Sequence, residues 1–442
     1  MNGAPVDPQS FAFVAASTIF LGTYVFIVSE RVNRAVIAML GAGLVIILGV
    51  LTQDQAIRAV DFNTLGLLAG MMMIVGVARK SGLFAYIAIR AAQAAKASPA
   101  GILMALTLVT AVFSAFLDNV TTVLLVVPVT FIICGELKVP PYPFLVTEIF
   151  AGNIGGTATL IGDPPNILIG SAAHLSFDAF VTNLAPVVAV ILVLQMIANH
   201  VIWGIRLSAA PEEKARVMRL KSAEMILDRW LLWCSLIVIG AVMAAFVYAR
   251  QLHLEAGTIA LTGAAVMMLC ETLPHHSHRH SELVTGAFHE VEWITLFFFV
   301  GLFVVVGGVE HVGLLRLAGH ELVALTGGNK AVTAYGILWS SALFSAVVDN
   351  IPFVATMIPL VKDMAPALGG PSAIEPLWWA LALGACLGGN GTLVGASANL
   401  TVAGMAEKNG MRFSFLKFTL AALPMMLVSV AVAQVYLMWR YF

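Results

Sequence analysis

Residues 115–129 read AFLDNVTTVLLVVPV, and residues 346–360 read AVVDNIPFVATMIPL. Asp118, Asn119 and Pro128 of the first stretch stand 231 positions before Asp349, Asn350 and Pro359 of the second. Both stretches sit in apolar sequence, where a carboxylate is costly and usually functional. An acid–amide pair placed twice at membrane depth implies a chain built from two copies of one module.

The repetition extends outward. FNTLGLLAGMMMIVGVARKSGL (62–83) aligns with WITLFFFVGLFVVVGGVEHVGL (293–314). Thr64, Gly70, Gly76 and Gly82 fall on Thr295, Gly301, Gly307 and Gly313 at the same offset. Further on, TLIGDPPN (159–166) aligns with TLVGASAN (392–399), now 233 positions apart. Matches at so constant an offset mark a true internal repeat.

Composition fixes the environment. The 442 residues are 60% hydrophobic and 11% charged, against about 25% charged in soluble proteins. Many apolar runs reach the roughly 20 residues that span a bilayer as a helix. Long runs without period-2 alternation exclude a β-barrel. The net charge of −1 gives no reason to expect a nucleic-acid partner. Cys134, Cys234, Cys270 and Cys386 have no metal-ligand spacing and read as packing residues, although Cys386 adjoins a polar motif. No metal, cofactor or catalytic constellation is expected, and an enzyme is disfavoured. MNGAPVDPQS lacks the basic n-region of a cleaved signal peptide, so residues 11–29 are expected to be a retained span.

Twelve hydrophobic blocks divide evenly around a polar segment. The expected organisation is an N-terminal repeat (1–205), a cytoplasmic linker (206–229) and a C-terminal repeat (230–442) with a loop insertion at 272–292. Arg31, Arg34, Arg79, Lys80, Arg90, Lys96 and the basic linker assign the cytoplasmic side. This works only if the block 101–134 enters and leaves on one face, as a re-entrant hairpin with Asp118-Asn119 near its tip. Each half then has five spans and one hairpin. An odd number of spans inverts the second half relative to the first. The expected fold is an all-α polytopic membrane protein of two inverted repeats, each with a re-entrant hairpin and a broken helix. Ten spans and two hairpins would leave both termini outside.

The polar groups cluster at the breaks. In AFLDNVTT (115–122), Asp118 can hold a proton or a cation, and Asn119, Thr121 and Thr122 offer hydrogen bonds. A plain helix cap would need one such residue; the duplicated pair asks for more. In VTEIFAGNIGGTATLIGDPPNILIGS (146–171), Gly155, Gly156, Pro164 and Pro165 interrupt a helix. Asn153, Thr157, Thr159 and Asn166 supply neutral polar groups there, Asp163 supplies an acid, and Glu148 is placed nearer the interface. The partner segment GACLGGNGTLVGASANLTVAG (384–404) keeps Asn390, Thr392 and Asn399 but has Ala396 opposite Asp163. One unpaired acid suggests a single coupling position at Asp163. Irregular polar backbone at this depth belongs to a cavity, the site architecture of secondary transporters. Weaker signals take plainer readings. PHHSHRH (274–280) reads as a solvated loop, Met71-Met72-Met73 as packing, and Trp378-Trp379 with Trp439 as an interfacial belt.

DNVTT with GGTATLIGDPPN, echoed as DNIPF with GGNGTLVGASAN, resembles the ion transporter superfamily over nearly the whole chain. More narrowly it resembles the branch of arsenite permeases and pink-eyed-dilution (P) proteins. The resemblance implies solute contacts from Asn119, Thr121, Thr157, Thr159, Asn350, Asn390 and Thr392, with Asn153 beside them. It also implies elevator-like movement of the hairpins and broken helices past a static scaffold. Asp118-Asn119 and Asp349-Asn350 replace the Ser-Asn-Thr tips of the sodium–dicarboxylate branch, and Asp163 replaces a Thr. Proton coupling through Asp118, Asp163 and Asp349 is therefore expected.

The motifs contain no Arg or Lys, which favours a neutral or cationic solute over an oxyanion. The leading expectation is proton-coupled efflux of arsenite or antimonite across a bacterial inner membrane. Sodium/proton antiport or anion transport within the same superfamily is the alternative. Expected partners are the lipid bilayer, a peripheral cytoplasmic ATPase and a second copy of the chain.

Overall fold

A computed structural model describes residues 8–29 and 31–442; residues 1–7 of the N-terminal reading lie outside the described residues. All regular structure described is helical. Helices α1 (Phe11–Ser29), α2 (Arg34–Ile47), α3 (Gln53–Ala59), α4 (Phe62–Lys80) and α5 (Leu83–Ala94) lead into a helical hairpin, α6 (Pro99–Phe116) and α7 (Asn119–Leu137). An interrupted helix follows, α8 (Tyr142–Thr157) and α9 (Pro164–Ala173), and then α10 (Phe177–Ile202). The polar segment carries α11 (Pro211–Arg219).

The second half keeps the order, with α12 (Arg229–Val247), a short α13 (Ala249–Leu252), α14 (Ala256–Thr272), α15 (Ser277–His289), α16 (Trp293–His311) and α17 (Leu314–Leu325). Its hairpin is α18 (Lys330–Val347) and α19 (Asn350–Leu368). Its interrupted helix is α20 (Glu375–Gly388) and α21 (Ser397–Lys408), followed by α22 (Phe415–Tyr441). Among the described residues, nine helices are long and apolar enough to cross a membrane.

Local chemistry explains the breaks. Asp118 leaves the helical path and accepts from the amide of Thr121, starting α7. Asp349 does the same for α19 through the amide of Ile351. Each supplies an acceptor to a helix start whose first amides have no partner inside the helix. Gly82 and Gly313 both take φ of 82° at the turns after α4 and α16, a conformation that favours glycine.

Two bodies result. α4 lies along α14 and α16 along α2, so the halves exchange partners, and α1 and α12 flank these pairs in a frame. The hairpins pack against the interrupted helices, α6 on α8 and α18 on α20, to form a core. The arms α5 and α17 lie chiefly against the hairpins. The close crossings depend on small residues, as is usual between membrane helices. A Cβ at Gly155 would strike the backbone of Ala111, and one at Gly388 would strike that of Ala342. Gly155→Val should therefore destabilise the protein by about 1–3 kcal/mol through overpacking, seen as a lower unfolding temperature in detergent. Gly135→Ala is the control: nothing lies within 4 Å of its added methyl, and alanine suits a helix interior better by about 0.5–1 kcal/mol. Equal melting temperatures for the two variants would refute the close-crossing argument.

The two ends of α4 define the faces of the molecule. Beyond its C-terminus, the carbonyl of Ser81 accepts from the amide of Leu227 in the polar segment. The first hairpin begins and ends at that face. Gln93, at the end of α5, donates to the carbonyl of Leu220, and Glu136, near the end of α7, accepts from Arg216 through its backbone carbonyl. The second hairpin stands the other way up. Lys362 on α19 lines a cleft together with Asp61 and Asn63 at the opposite end of α4.

Two expectations are corrected. The stretch containing PHHSHRH is not a loop throughout, since α15 starts within it, at Ser277. Trp378 and Trp379 are not interfacial. Both are buried, Trp379 edge-on to Phe180, because the core, not lipid, surrounds α20. Glu148 is fully buried against α7.

Candidate functional site

The hairpin tips meet at Asp163. This residue precedes α9, where Pro164 and Pro165 open the second half of the interrupted helix. Its carboxylate is wholly inaccessible to solvent. The Asn119 amide donates to Asp163 Oδ1 over 3.4 Å, and the Asn350 amide reaches both its oxygens over 3.3 and 3.4 Å. One acid of the first half thus receives matching amides from both repeats.

A polar chain continues behind it. Asn119 also donates to Asn153 Oδ1 at 3.0 Å, and Asn153 donates to Asn390 Oδ1 at 2.9 Å and Asn399 Oδ1 at 3.0 Å. Each member of the chain is buried. Such a network is stable only when its members find partners.

The breaks themselves are braced identically in both halves. Thr159 donates its hydroxyl to the carbonyl of Ala115, and Thr392 donates to that of Ala346, both at 2.5 Å. Ser114 donates to the carbonyl of Gly152, and Ser345 to that of Ala385, both at 2.6 Å. Asn166 and Asn399 satisfy the free carbonyls of the two unwound segments. These bonds clamp each hairpin to its interrupted helix, which holds Asp163 in register with the tips.

A cavity of about 30 Å³ opens at Asp163 between core and frame. Of the residues expected at the site, Asp118, Asn119, Asp163 and Asn350 line it. Thr121 lies next to it and donates its hydroxyl to Asp118 at 2.5 Å. Asn153 and Asn390 stand behind the wall. Thr157, Thr159 and Thr392 direct their hydroxyl protons to backbone carbonyls and serve the breaks. Asp349 is held from the frame: Arg34 donates to it at 2.6 Å and to Ser397 at 2.9 Å, and Ser397 donates to Asp349 at 2.8 Å.

Arg34 overturns the expectation of a site without Arg or Lys. It opens α2 half-buried between frame and core, with its guanidinium 5.1 Å from the centre of the Phe298 ring. Glu292 and Ser397 were also missed, and both line the cavity. The repeat offset was a usable signal for two of them. Glu292 stands opposite Asp61, the cap of α4, and Ser397 stands opposite Pro164. Arg34 carries no such mark, because its counterpart at the start of α14 is Ala256. Cys386, beside the network, donates to Asn166 Oδ1 at 3.4 Å.

A second space, about 840 Å³, lies between frame and core at the α4 N-terminal face. Asp61, Asn63, Ser171, Arg250, Glu310 and Lys362 are among its lining residues. Leu67 lines this cleft, and its neighbour Leu68 lines the small cavity. Among the described residues, no group of three or more His, Cys, Asp or Glu side chains is arranged to hold a metal ion.

The chain is similar to known membrane transporters over its length. An uncharacterized transporter of Mycobacterium tuberculosis is 42% identical over 433 residues, covering 97% of this chain and 99% of that one. The human P protein is 33% identical over 506 residues, covering 96% of this chain and 59% of the longer protein. The fold matches the YdaH transporter of Alcanivorax borkumensis with a TM-score of 0.63 at 16% identity, covering 96% and 97% of the two chains. It also matches MtrF of Neisseria gonorrhoeae with a TM-score of 0.55 at 14% identity, covering 99% and 95%. The profile described as "Citrate transporter" matches residues 24–384. This chain is a multi-pass membrane transporter, and it belongs to the citrate transporter (CitMHS) family within the ion transporter superfamily.

Proposed function

We propose that the chain is a proton-coupled secondary transporter of a small neutral or cationic inorganic solute. Halves 1–205 and 230–442 act as two inverted copies joined by the linker 206–229, with ten spans and two re-entrant hairpins in a bacterial inner membrane. One observation carries the reading. Both hairpin tips offer their Asn amides to the single buried acid Asp163, in a cavity also walled by Asp118 and Glu292. Four acids lie in or beside this space, and the one guanidinium among them, Arg34, is already paired with Asp349. Such a surplus of acid repels a tricarboxylate and suits a proton with a neutral hydroxylated solute or a cation.

Arsenite or antimonite efflux is the leading substrate reading. Asn119 and Asn350 can hydrogen-bond the hydroxyls of an uncharged metalloid acid, with Asp163 exchanging the proton. Sodium/proton exchange is the second reading, favoured by the cavity's size. Its 30 Å³ exceeds the roughly 10–15 Å³ that one water molecule requires by the same measure, which leaves room for a single small ion or solvent molecule. Transport by either route requires the core to move against the frame, and the 840 Å³ cleft between them suits an elevator-like path.

Proteoliposomes enclosing a pH-sensitive dye separate these readings. Arsenite or antimonite should move protons, whereas sodium and citrate should not. Proton movement driven by sodium alone would replace the first reading with the second. Movement driven by citrate alone would overturn both.

A further inference from the structure

Glu148 belongs to none of the contacts around the Asp163 cavity. It sits on α8, on the polar-segment side of the break, with no solvent exposure. Thr130 Oγ1 lies 2.5 Å from Glu148 Oε1 and 3.3 Å from the carbonyl oxygen of Val126. That hydroxyl has one proton and faces two acceptors. Both contacts become hydrogen bonds when Glu148 is itself the donor, as a carboxylic acid, and Thr130 passes its own proton to Val126. Glu148 Oε2 has no partner among the described residues.

The second repeat shows that packing does not require an acid here. Leu381 stands opposite Glu148 and Val361 opposite Thr130; both are buried. The acid–hydroxyl pair is therefore confined to the half that also holds Asp163. α7 carries both ends of the arrangement, Asn119 at the cavity and Thr130 at Glu148. Between them lies Thr122, whose buried hydroxyl has no partner among the described residues, as does that of Thr110 on α6.

Among the described residues, no charged group bonds to Glu148 from the elements around it. α6 has no titratable side chain. On α7, Cys134 lies one turn beyond Thr130, and Glu136 is held by Arg216. On α8 itself the other titratable group is Tyr142, the first residue of the helix. On α10, Asp178 and His200 are exposed; on α20, Glu375 is exposed and Cys386 is bonded to Asn166; on α21, Glu407 and Lys408 are exposed.

We propose that Glu148 is a second proton-binding site of this transporter, remote from the solute cavity and carried within the core. Its role in transport rests on the proton-coupled reading above; its occupancy by a proton does not. The ligand is a proton, held as the neutral acid between α7 and α8.

Infrared spectroscopy of the full chain in lipid reads that occupancy directly. A protonated-carboxyl band at neutral pH should be lost in Glu148→Gln and kept in Asp163→Asn. Thr130→Val, which copies Val361, should shift the band by removing its hydrogen-bond partner. Glu148→Leu, which copies Leu381, guards against misfolding of the Gln variant. In proteoliposomes Glu148→Gln should retain solute exchange and lose part of the proton movement per solute. A band unchanged in Glu148→Gln and Glu148→Leu overturns the site. Proton movement per solute unchanged in a chain that has lost the band overturns its role as a carrier. Solute transport by the wild-type chain without any proton movement overturns the coupled reading, while the band still decides the site.

Discussion

Asp163→Asn should remove the response of transport to a pH gradient and leave the protein folded. The substitution keeps the shape of a side chain that nothing from solvent reaches. An asparagine carbonyl still accepts from Asn119 and Asn350, so the meeting of the tips is preserved in outline. The new amide meets Asn350 donor to donor, which costs one hydrogen bond, about 0.5–1.5 kcal/mol. The proton position itself is abolished. Coupling between two bound species is typically worth about 1–3 kcal/mol, or roughly 5- to 150-fold in affinity. That dependence of solute affinity on the bound proton should be lost, and with it uptake driven by a pH gradient. The dependence on pH should flatten wherever the wild-type protein responds, while the unfolding temperature changes little. Retention of the wild-type pH profile would remove Asp163 from the coupling step.

Breaking the Arg34–Asp349 pair should harm the protein more than losing Asp118 does. Among the described residues, this is the ion pair that joins frame to core. Arg34 is 28% exposed and Asp349 15%, so water screens the pair only in part. Arg34→Gln strands Asp349 with Ser397 and a backbone amide, at a cost of about 1.5–3 kcal/mol for the lost charge-assisted bond. The double variant Arg34→Gln/Asp349→Asn leaves no unpaired charge and should recover part of that loss. A double-mutant cycle on unfolding temperature and on transport measures the difference. Asp349→Ala should accordingly be more damaging than Asp118→Ala, because Asp118 bonds only within its own helix start, to Thr121. Tyr24 reinforces the contrast by tying α1 to the carbonyl of Pro352, just beyond the second tip. Equal losses for the two alanine variants, with additive losses in the cycle, would show that this latch carries no coupling.

Comparison of the two repeats explains why some of the site was legible. A broken helix is a local event. Glycine, proline and capping acids produce it wherever they occur, so AFLDNVTT and GGTATLIGDPPN announced their breaks without reference to the rest of the chain. The asymmetry at Ala396 needed only the alignment of the two repeats, and it singled out the acid on which both tips converge. Thr157, Thr159 and Thr392 were harder to interpret. A hydroxyl near a break can face a solute or a carbonyl, and here the carbonyls of Asn153, Ala115 and Ala346 take those protons.

The sequence alone determined the membrane setting, the duplication, the positions of the breaks and the three acids, Asp118, Asp163 and Asp349, that the fold gathers in or beside one cavity. Each of these follows from composition or from backbone preferences that act over a few residues. Only the tertiary structure decided that Arg34, expected at the cytoplasmic side, holds Asp349, 315 positions away. It alone buried Glu148 against Thr130 and enclosed Trp379 within the core. Those outcomes depend on which helix faces are brought together, and on what a buried charge can find there. Hydropathy places a residue in depth but says nothing of its neighbour across the interface.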